Sequence, residues 1–438
     1  MVKPTGIEVR AYNVGFGDCF LLTFEYGEAE RRSVLIDFGS TGKAKTAPAK
    51  VMEVIAKDVE KFVTENCGGM LHGVVATHRH KDHVSGFGGK AGEIIEALKP
   101  KVVVQPWTED PQAKKDAKSA TGKAPQGKPD SLAAMQNRYL RSFDDMRAFS
   151  ASALAAASPR MGKTASSKIK FIADDNIPNK EAVERLARMG KNTVAEYVRA
   201  GDKTLLEKLL PGVKVHVLGP PDLTQTDTIL QQRDTDKDEF WQFMQFWSML
   251  AGGSGESAPA VLFPKASILH RKPVNTRWFI DRADRQLGHQ LLGIVRVLDD
   301  AMNNTSVILL FEAGGKKLLF SGDAQIENWA YALSEPKVLK GVRKLLADVD
   351  LYKVGHHGSR NATPKTLWGL FKNRSEEKGK AGRLTSLVST MKGKHGDSLK
   401  HTEVPRKSLV DALAADSDFH STEELKGGSL FEPIRIEI

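Results

Sequence analysis

Apolar and polar positions follow a strand-like period in the first forty residues. Ile7-Glu8-Val9-Arg10-Ala11-Tyr12, Cys19-Phe20-Leu21-Leu22-Thr23-Phe24 and Ser33-Val34-Leu35-Ile36-Asp37 predict three strands, with Val14-Gly15-Phe16-Gly17-Asp18 as the turn between the first two. The period then lengthens. Val51, Val54, Ile55, Val59, Phe62 and Val63 recur at three and four residues, which predicts an amphipathic helix within 48–66. Leu71-His72-Gly73-Val74-Val75-Ala76-Thr77 reads as a buried strand, Ile94 to Leu98 as a helix and Val102-Val103-Val104 as another strand. Strand and helix alternate, so the fold class is α/β.

From about 108 to 190 the pattern turns to Ala, Lys, Ser and Gln, with Gly/Pro breaks at 121–130 and helical spacing at 131–157. Core-like residues return at 204–218, where Leu205, Leu206, Leu209 and Leu210 precede the strand Val213-Lys214-Val215-His216-Val217-Leu218. A second excursion, about 222–300, contains Gly252-Gly253-Ser254-Gly255 and an aromatic run from Phe240 to Leu250 that reads as helix core or a contact surface before it reads as a base-stacking lid. Thr305-Ser306-Val307-Ile308-Leu309-Leu310-Phe311, the turn Gly314-Gly315 and Lys317-Leu318-Leu319-Phe320 then form a well-signalled hairpin. The expectation is one elaborated domain over 1–438, with a core of about 1–107, 204–221 and 301–438 and insertions at about 108–203 and 222–300. No internal repeat is evident.

The densest chemistry lies in Thr77-His78-Arg79-His80-Lys81-Asp82-His83. Histidines two apart in an extended segment project to one side, so His78 and His80 can converge on one ion, while Asp82 and His83 fall where the chain turns toward a second. Two later strand ends carry further donors. Leu318-Leu319-Phe320-Ser321-Gly322-Asp323 delivers a carboxylate suited to bridging two metals about 3.5–4 Å apart. Leu351-Tyr352-Lys353-Val354-Gly355-His356-His357-Gly358-Ser359 delivers two histidines. Asp37, at the end of Val34-Leu35-Ile36, can accept a hydrogen bond from a ligating histidine or from water at the metal. Imidazole and carboxylate donors suit zinc first, one or two ions, with manganese or iron as alternatives.

The HxHxDH run, the later strand-end aspartate and the later strand-end histidine resemble, in that order, the metallo-β-lactamase superfamily. The match spans about 7–105 and 303–370. Within it, Asn13-Val14-Gly15-Phe16-Gly17-Asp18-Cys19, Leu35-Ile36-Asp37-Phe38-Gly39, Asn303-Asn304-Thr305-Ser306-Val307, Ser321-Gly322-Asp323 and Val354-Gly355-His356-His357-Gly358-Ser359 resemble the hydrolase domain of bacterial DNA-uptake competence proteins of the ComEC type. The resemblance implies a four-layer αβ/βα sandwich with helical insertions, and an enzyme: a metal-dependent hydrolase in which water acidified by the ions, to a pKa of about 7, supplies the hydroxide nucleophile. It implies His78 and His80 on the first metal, Asp82 and His83 on the second, Asp323 bridging, and His356 completing the second site because related motifs place the ligand first. His357 is then left to touch substrate. Asp82, His357 and His401, which precedes Pro405 and an amphipathic helix, are the catalytic candidates, with Lys353 as a further stabiliser of developing charge. Two departures stand out. No motif supplies the usual third histidine of the first site, for which His216, His270 and His289 are the available residues. Nothing resembles the competence proteins' membrane channel.

Composition narrows the partners. The 438 residues are 40% hydrophobic and 27% charged, with no apolar stretch long enough for a membrane span and no signal-like start, so a cytoplasmic protein without a membrane partner is expected. Cys19 and Cys67 read as buried small residues. The net charge of +10 is concentrated: 13 Lys/Arg against 6 Asp/Glu at 101–170, and 10 against 4 at 371–408. Two basic zones and a two-metal site type favour nucleic acid or another phosphodiester as substrate. A small-molecule ester, lactone or phosphorylated compound is the second reading, and a metal-stabilised binding or regulatory module the third. Nothing in the residues sets an oligomeric state.

Overall fold

The computed structural model describes residues 2–28, 30–43, 47–113, 119–120, 166–167, 169–170, 179–226, 301–359, 363–394, 403–425 and 429–438. The chain forms two compact units. Met1–Asp144, Pro178–Leu230 and Ala301–Ile438 make one, and Asp145–Ile177 with Gln231–Asp300 makes the other. The aromatic run at 240–250 and most of the two excursions lie outside the described residues.

Two mixed sheets carry the fold. The first contains β1 (Gly6–Tyr12), β2 (Cys19–Tyr26), β3 (Glu30–Phe38), β4 (Gly73–Val75), β5 (Val103–Pro106), β6 (Ala195–Val198) and β13 (Phe431–Glu437), in the order β13-β1-β2-β3-β4-β5-β6. The second contains β7 (Val213–Gly219), β8 (Ile308–Ala313), β9 (Lys316–Phe320), β10 (Leu351–Lys353), β11 (Thr385–Val388) and β12 (Asp418–Ser421), in the order β12-β11-β10-β9-β8-β7. Each sheet is antiparallel on one side and parallel on the other: β13 through β3 alternate in direction, and β3 to β6 run parallel. In the second sheet β7, β8 and β9 alternate, and β9 to β12 run parallel. The parallel strands need crossovers. They come as helices: α1 (Val51–Asn66) and α3 (Gly89–Ala97) flank β4, and α4 (Lys180–Asn192) precedes β6.

Alternation along the strands sorts side chains into layers. Phe20, Leu22 and Phe24 of β2 face Phe311, Leu318 and Phe320 of the second sheet in one apolar cluster. The rings of Phe20 and Phe320 stand 5.9 Å apart and those of Phe24 and Phe311 6.1 Å apart, tilted against one another. Leu21, Leu35 and Val74 point the other way and are covered by Ile55, Val59 and Val63 of α1 and Ile95 of α3. On the outer face of the second sheet, Leu310, Leu319 and Tyr352 pack with Trp329 of α6 (Ile326–Leu333) and Leu346 of α7 (Val342–Ala347). The order is therefore helix, sheet, sheet, helix, an α/β sandwich. Each fully buried large apolar side chain contributes about 1.5–3 kcal/mol relative to exposure. The segment 179–203, grouped with the first excursion on its sequence, supplies α4 and the edge strand β6, whose four residues Ala195-Glu196-Tyr197-Val198 carry little strand pattern of their own.

No helix among the described residues is long and apolar enough to cross a membrane. Cys19 and Cys67 are both buried and free.

His72, just before β4, is buried and accepts the Ser33 N–H at its Nδ1, 3.3 Å away, while its own N–H donates to the Ser33 carbonyl at 2.9 Å. Burial, reinforced by the Arg32 charge, lowers its pKa from 6.5 to about 4. A folded-state value below the ordinary one means that protons favour the unfolded chain, so this contribution is complete above pH 6.5 and is lost as the pH falls toward 4. His72→Asn, which keeps an acceptor and removes the titration, should lose less stability than the parent between pH 7 and pH 4.5 in denaturant unfolding; equal losses would contradict this.

Candidate metal centre

The candidate residues gather where the parallel strands of both sheets end. Asp37 closes the buried run of β3, and Thr77 follows β4 beside it. Thr77 donates to Asp37 twice, from its backbone N–H to Oδ1 at 2.7 Å and from its hydroxyl to Oδ2 at 2.8 Å. The Thr77 carbonyl in turn accepts the Val307 N–H from the second sheet's side at 2.9 Å. Beyond β9 the chain turns at Gly322, whose φ of +51° and whose position, with an added Cβ 2.8 Å from the Thr77 side chain, leave no room for another residue. Carboxyl ends of parallel strands are where open α/β sheets place ligands, because the helices that follow diverge there.

Four buried residues meet at this point: Asp82 and His83 on the short helix α2 (Lys81–Val84), Asp323 after β9 and His357 after β10, with one donor atom from each within 4.8 Å of the others. Each imidazole is held from behind. His83 Nδ1–H donates to Asp37 Oδ2 at 2.8 Å, so its Nε2 faces inward, 3.0 Å from Asp323 Oδ2 and 3.8 Å from Asp82 Oδ1. His357 Nδ1–H donates to the Ser389 carbonyl at 2.9 Å, and its Nε2 lies 2.9 Å from Asp82 Oδ2 and 3.5 Å from Asp323 Oδ2. The Phe16 ring packs on His357 with centroids 4.3 Å apart. Asp323 is also divided in its use, since Oδ1 accepts the His356 backbone N–H at 2.9 Å and Oδ2 turns to the imidazoles.

A second group, His78, His80 and Asp82, shares Asp82 with the first; His78 Nε2 sits 3.0 Å from His80 Nδ1. A third comprises Asp18, Asp37 and His83. Lys353 enters the same region, its buried ammonium paired with Asp18 and 3.6 Å from Asp323 Oδ1.

This donor set fits a divalent cation. Asp82 Oδ1 and His83 Nε2 are buried with no hydrogen-bond partner among the described residues. Anchoring Nδ1–H on each histidine leaves lone pairs on Nε2 aimed at carboxylate oxygens, an arrangement of acceptors facing acceptors that only protons or a metal ion relieve. The proton affinities follow. Burial works against charge on His83, but Asp323, Asp37 and Asp82 outweigh it and hold its pKa well above the ordinary range. His357 is raised in the same way, burial again being overcome by Asp323 and Asp82. Asp323 is held well below the usual carboxylate range, because His83, His357 and Lys353 override its burial. His78 goes the other way, lowered first by burial and then by its neighbours His83 and His80. Imidazole nitrogen and carboxylate oxygen together suit zinc or manganese.

Of the residues singled out on sequence, His78, His80, Asp82, His83 and Asp323 are brought together, with Asp37 behind His83. The two strand-end histidines exchange places relative to expectation. Both adopt left-handed backbone, φ 44° at His356 and 51° at His357. The turn sends the second ring inward; the first, half-buried, lies with Nε2 3.4 Å from Asn303 Nδ2 and Nδ1 2.8 Å from Ser359 Oγ. Two successive left-handed side chains cost about 1–3 kcal/mol each, a strain that persists where the surrounding structure fixes it. No residue pattern announces such a turn. His401, His270 and His289 lie outside the described residues. His216, on β7, pairs with Glu312 at 3.3 Å and joins none of the donor groups among the described residues. Asp18, read only as turn chemistry and as part of a motif, proves to be a buried member of the cluster, and the Ser389 carbonyl carried no signal at all, since any residue can supply one.

No protein-family model matches the chain, and no curated protein sequence matches it.

Gly322→Ala should destabilise the fold by about 1–3 kcal/mol, from a strained left-handed residue and the collision with Thr77. Denaturant unfolding measures this; a change within about 0.5 kcal/mol, the size of a surface substitution, would contradict it.

Proposed function

We propose that this chain is a divalent-metal-dependent hydrolase built on the metallo-β-lactamase type of αβ/βα sandwich, acting on a phosphodiester, with nucleic acid the preferred substrate. The observation that carries the reading is the buried group Asp82, His83, Asp323 and His357, in which both imidazoles are oriented from behind and every inner donor is an acceptor. When bound, a divalent ion supplies a Lewis acid and lowers the pKa of water to about 7.

The chain's own residues have separable tasks. Asp82, His83, Asp323 and His357 would hold one ion, and His78 and His80, sharing Asp82, would hold a second more weakly because no third histidine joins them among the described residues. Asp37 and the Ser389 carbonyl set the tautomers of His83 and His357, the kind of support whose removal costs about 10–100-fold in metal affinity or activity. His356 and Asn303, adjacent to Asp323, form a polar edge suited to orienting substrate.

Charge placement favours a polyanion. The second basic zone, 371–408, includes the strand end that supplies Ser389, and Lys392 and Lys394 follow within five residues. Positive charge of this kind would attract phosphates, and such binding would weaken as salt rises.

The test is cleavage of single- and double-stranded DNA and RNA by the purified protein with zinc or manganese. Chelation should abolish cleavage and metal should restore it; His83→Ala and His357→Ala should each lower the rate at least 100-fold, and His356→Ala less than tenfold. No cleavage under any condition, or a His357→Ala protein as active as the parent, would overturn the proposal.

A further inference from the structure

Lys353 occupies a place where the strand pattern calls for an apolar residue. In register it lies beside Phe320 on β9 and Leu387 on β11, and it is 1% exposed. A buried ammonium is costly unless paired and hydrogen-bonded. Lys353 has two close partners, the Asp18 carboxylate with which it is ion-paired and the Gly322 carbonyl to which it donates at 3.1 Å, and it stands 3.6 Å from Asp323 Oδ1. Burial opposes its charge, whereas Asp18 and Asp323 favour it.

Asp18 is equally enclosed. It is wholly buried, and besides Lys353 the Nδ1 atoms of His357 and His83 lie 3.5 Å and 3.7 Å from its two oxygens. Asp18, Asp37, Asp82 and Asp323 thus bring four buried carboxylates to the region, and Lys353 brings one fixed positive charge against them. Charge–charge energies in such a setting are large, because little water screens them. The ammonium stands 3.6 Å from the oxygen of Asp323 that does not face the imidazoles, so its effect on the centre passes through that carboxylate.

Resting on the metal-centre reading above, we propose that Asp18 and Lys353 form a charge-setting pair: Lys353 acts on the centre through the nearby carboxylate of Asp323, and Asp18 masks the ammonium so that Asp323 keeps its charge for the metal ion. The pair then acts as an affinity control. With Asp18 neutralised, the ammonium is compensated by Asp323 alone and competes with the ion. With Lys353 neutralised, the carboxylate of Asp18, behind the imidazoles at their Nδ1 atoms, is left unbalanced and adds negative charge beside the centre. With both neutralised, the formal charge of the cluster equals that of the parent.

The experiment is zinc affinity by chelator competition, with cobalt(II) absorption as a second readout, on the full chain carrying Asp18→Asn, Lys353→Met and both together, each checked for folding by circular dichroism. Asp18→Asn should bind zinc at least tenfold more weakly than the parent, Lys353→Met at least tenfold more tightly, and the double variant within about threefold of the parent. Should either single variant fail to fold, the other single variant and the double still fix the sign and the rescue. A pair that served only the fold would leave every folded variant at the parent affinity, and that result, or a double variant no closer to the parent than the single ones, overturns the inference. A parent protein that binds neither zinc nor cobalt defeats the metal-centre reading instead.

Discussion

The architecture around the centre depends on a single constraint: lone pairs that converge in a buried space must be supplied with positive charge. Asp82, His83, Asp323 and His357 bring such lone pairs within 4.8 Å of one another, and the hydrogen bonds behind the imidazoles prevent them from turning away. Thr77 fixes Asp37, Asp37 fixes His83, and Ser389 fixes His357. In protonated form the cluster is a set of imidazolium–carboxylate pairs, as the raised His83 and His357 and the lowered Asp323 indicate. On the proposed reading a divalent ion replaces those protons, and binding releases them.

The two sheets make this convergence possible. Each changes from antiparallel to parallel partway across, and the carboxyl ends of the parallel strands β3, β4, β9 and β10 lead into most of the cluster, with Asp18 coming from the loop between β1 and β2. The aromatic contacts between Phe20 and Phe320 and between Phe24 and Phe311 hold the faces together, so donors separated by 275 residues, Asp82 and His357, come within hydrogen-bond distance. A rigid apolar core therefore sets the geometry of the polar site.

Much of this was legible in the residues. The hairpins and strands of the core announce themselves through alternation, and the five donors from His78 to Asp323 through residue type at strand ends. What was not legible depended on backbone conformation and long-range pairing. His356 and His357 are identical in chemistry, and only the left-handed turn at 356–357 decides which ring faces Asp323. The four-residue β6 is defined by its partner β5 more than by its own composition. Asp18 looks like a turn residue until Lys353 from the other sheet is seen beside it. Its burial reflects tertiary pairing, which local pattern does not encode.

The position of a bound metal ion is read by anomalous diffraction at the zinc or manganese edge from crystals grown with that metal. The strongest peak is expected between Asp82 Oδ, His83 Nε2, Asp323 Oδ2 and His357 Nε2, about 2.0–2.2 Å from each for zinc. A principal peak elsewhere, with His357 turned away or His356 in its place, would contradict it.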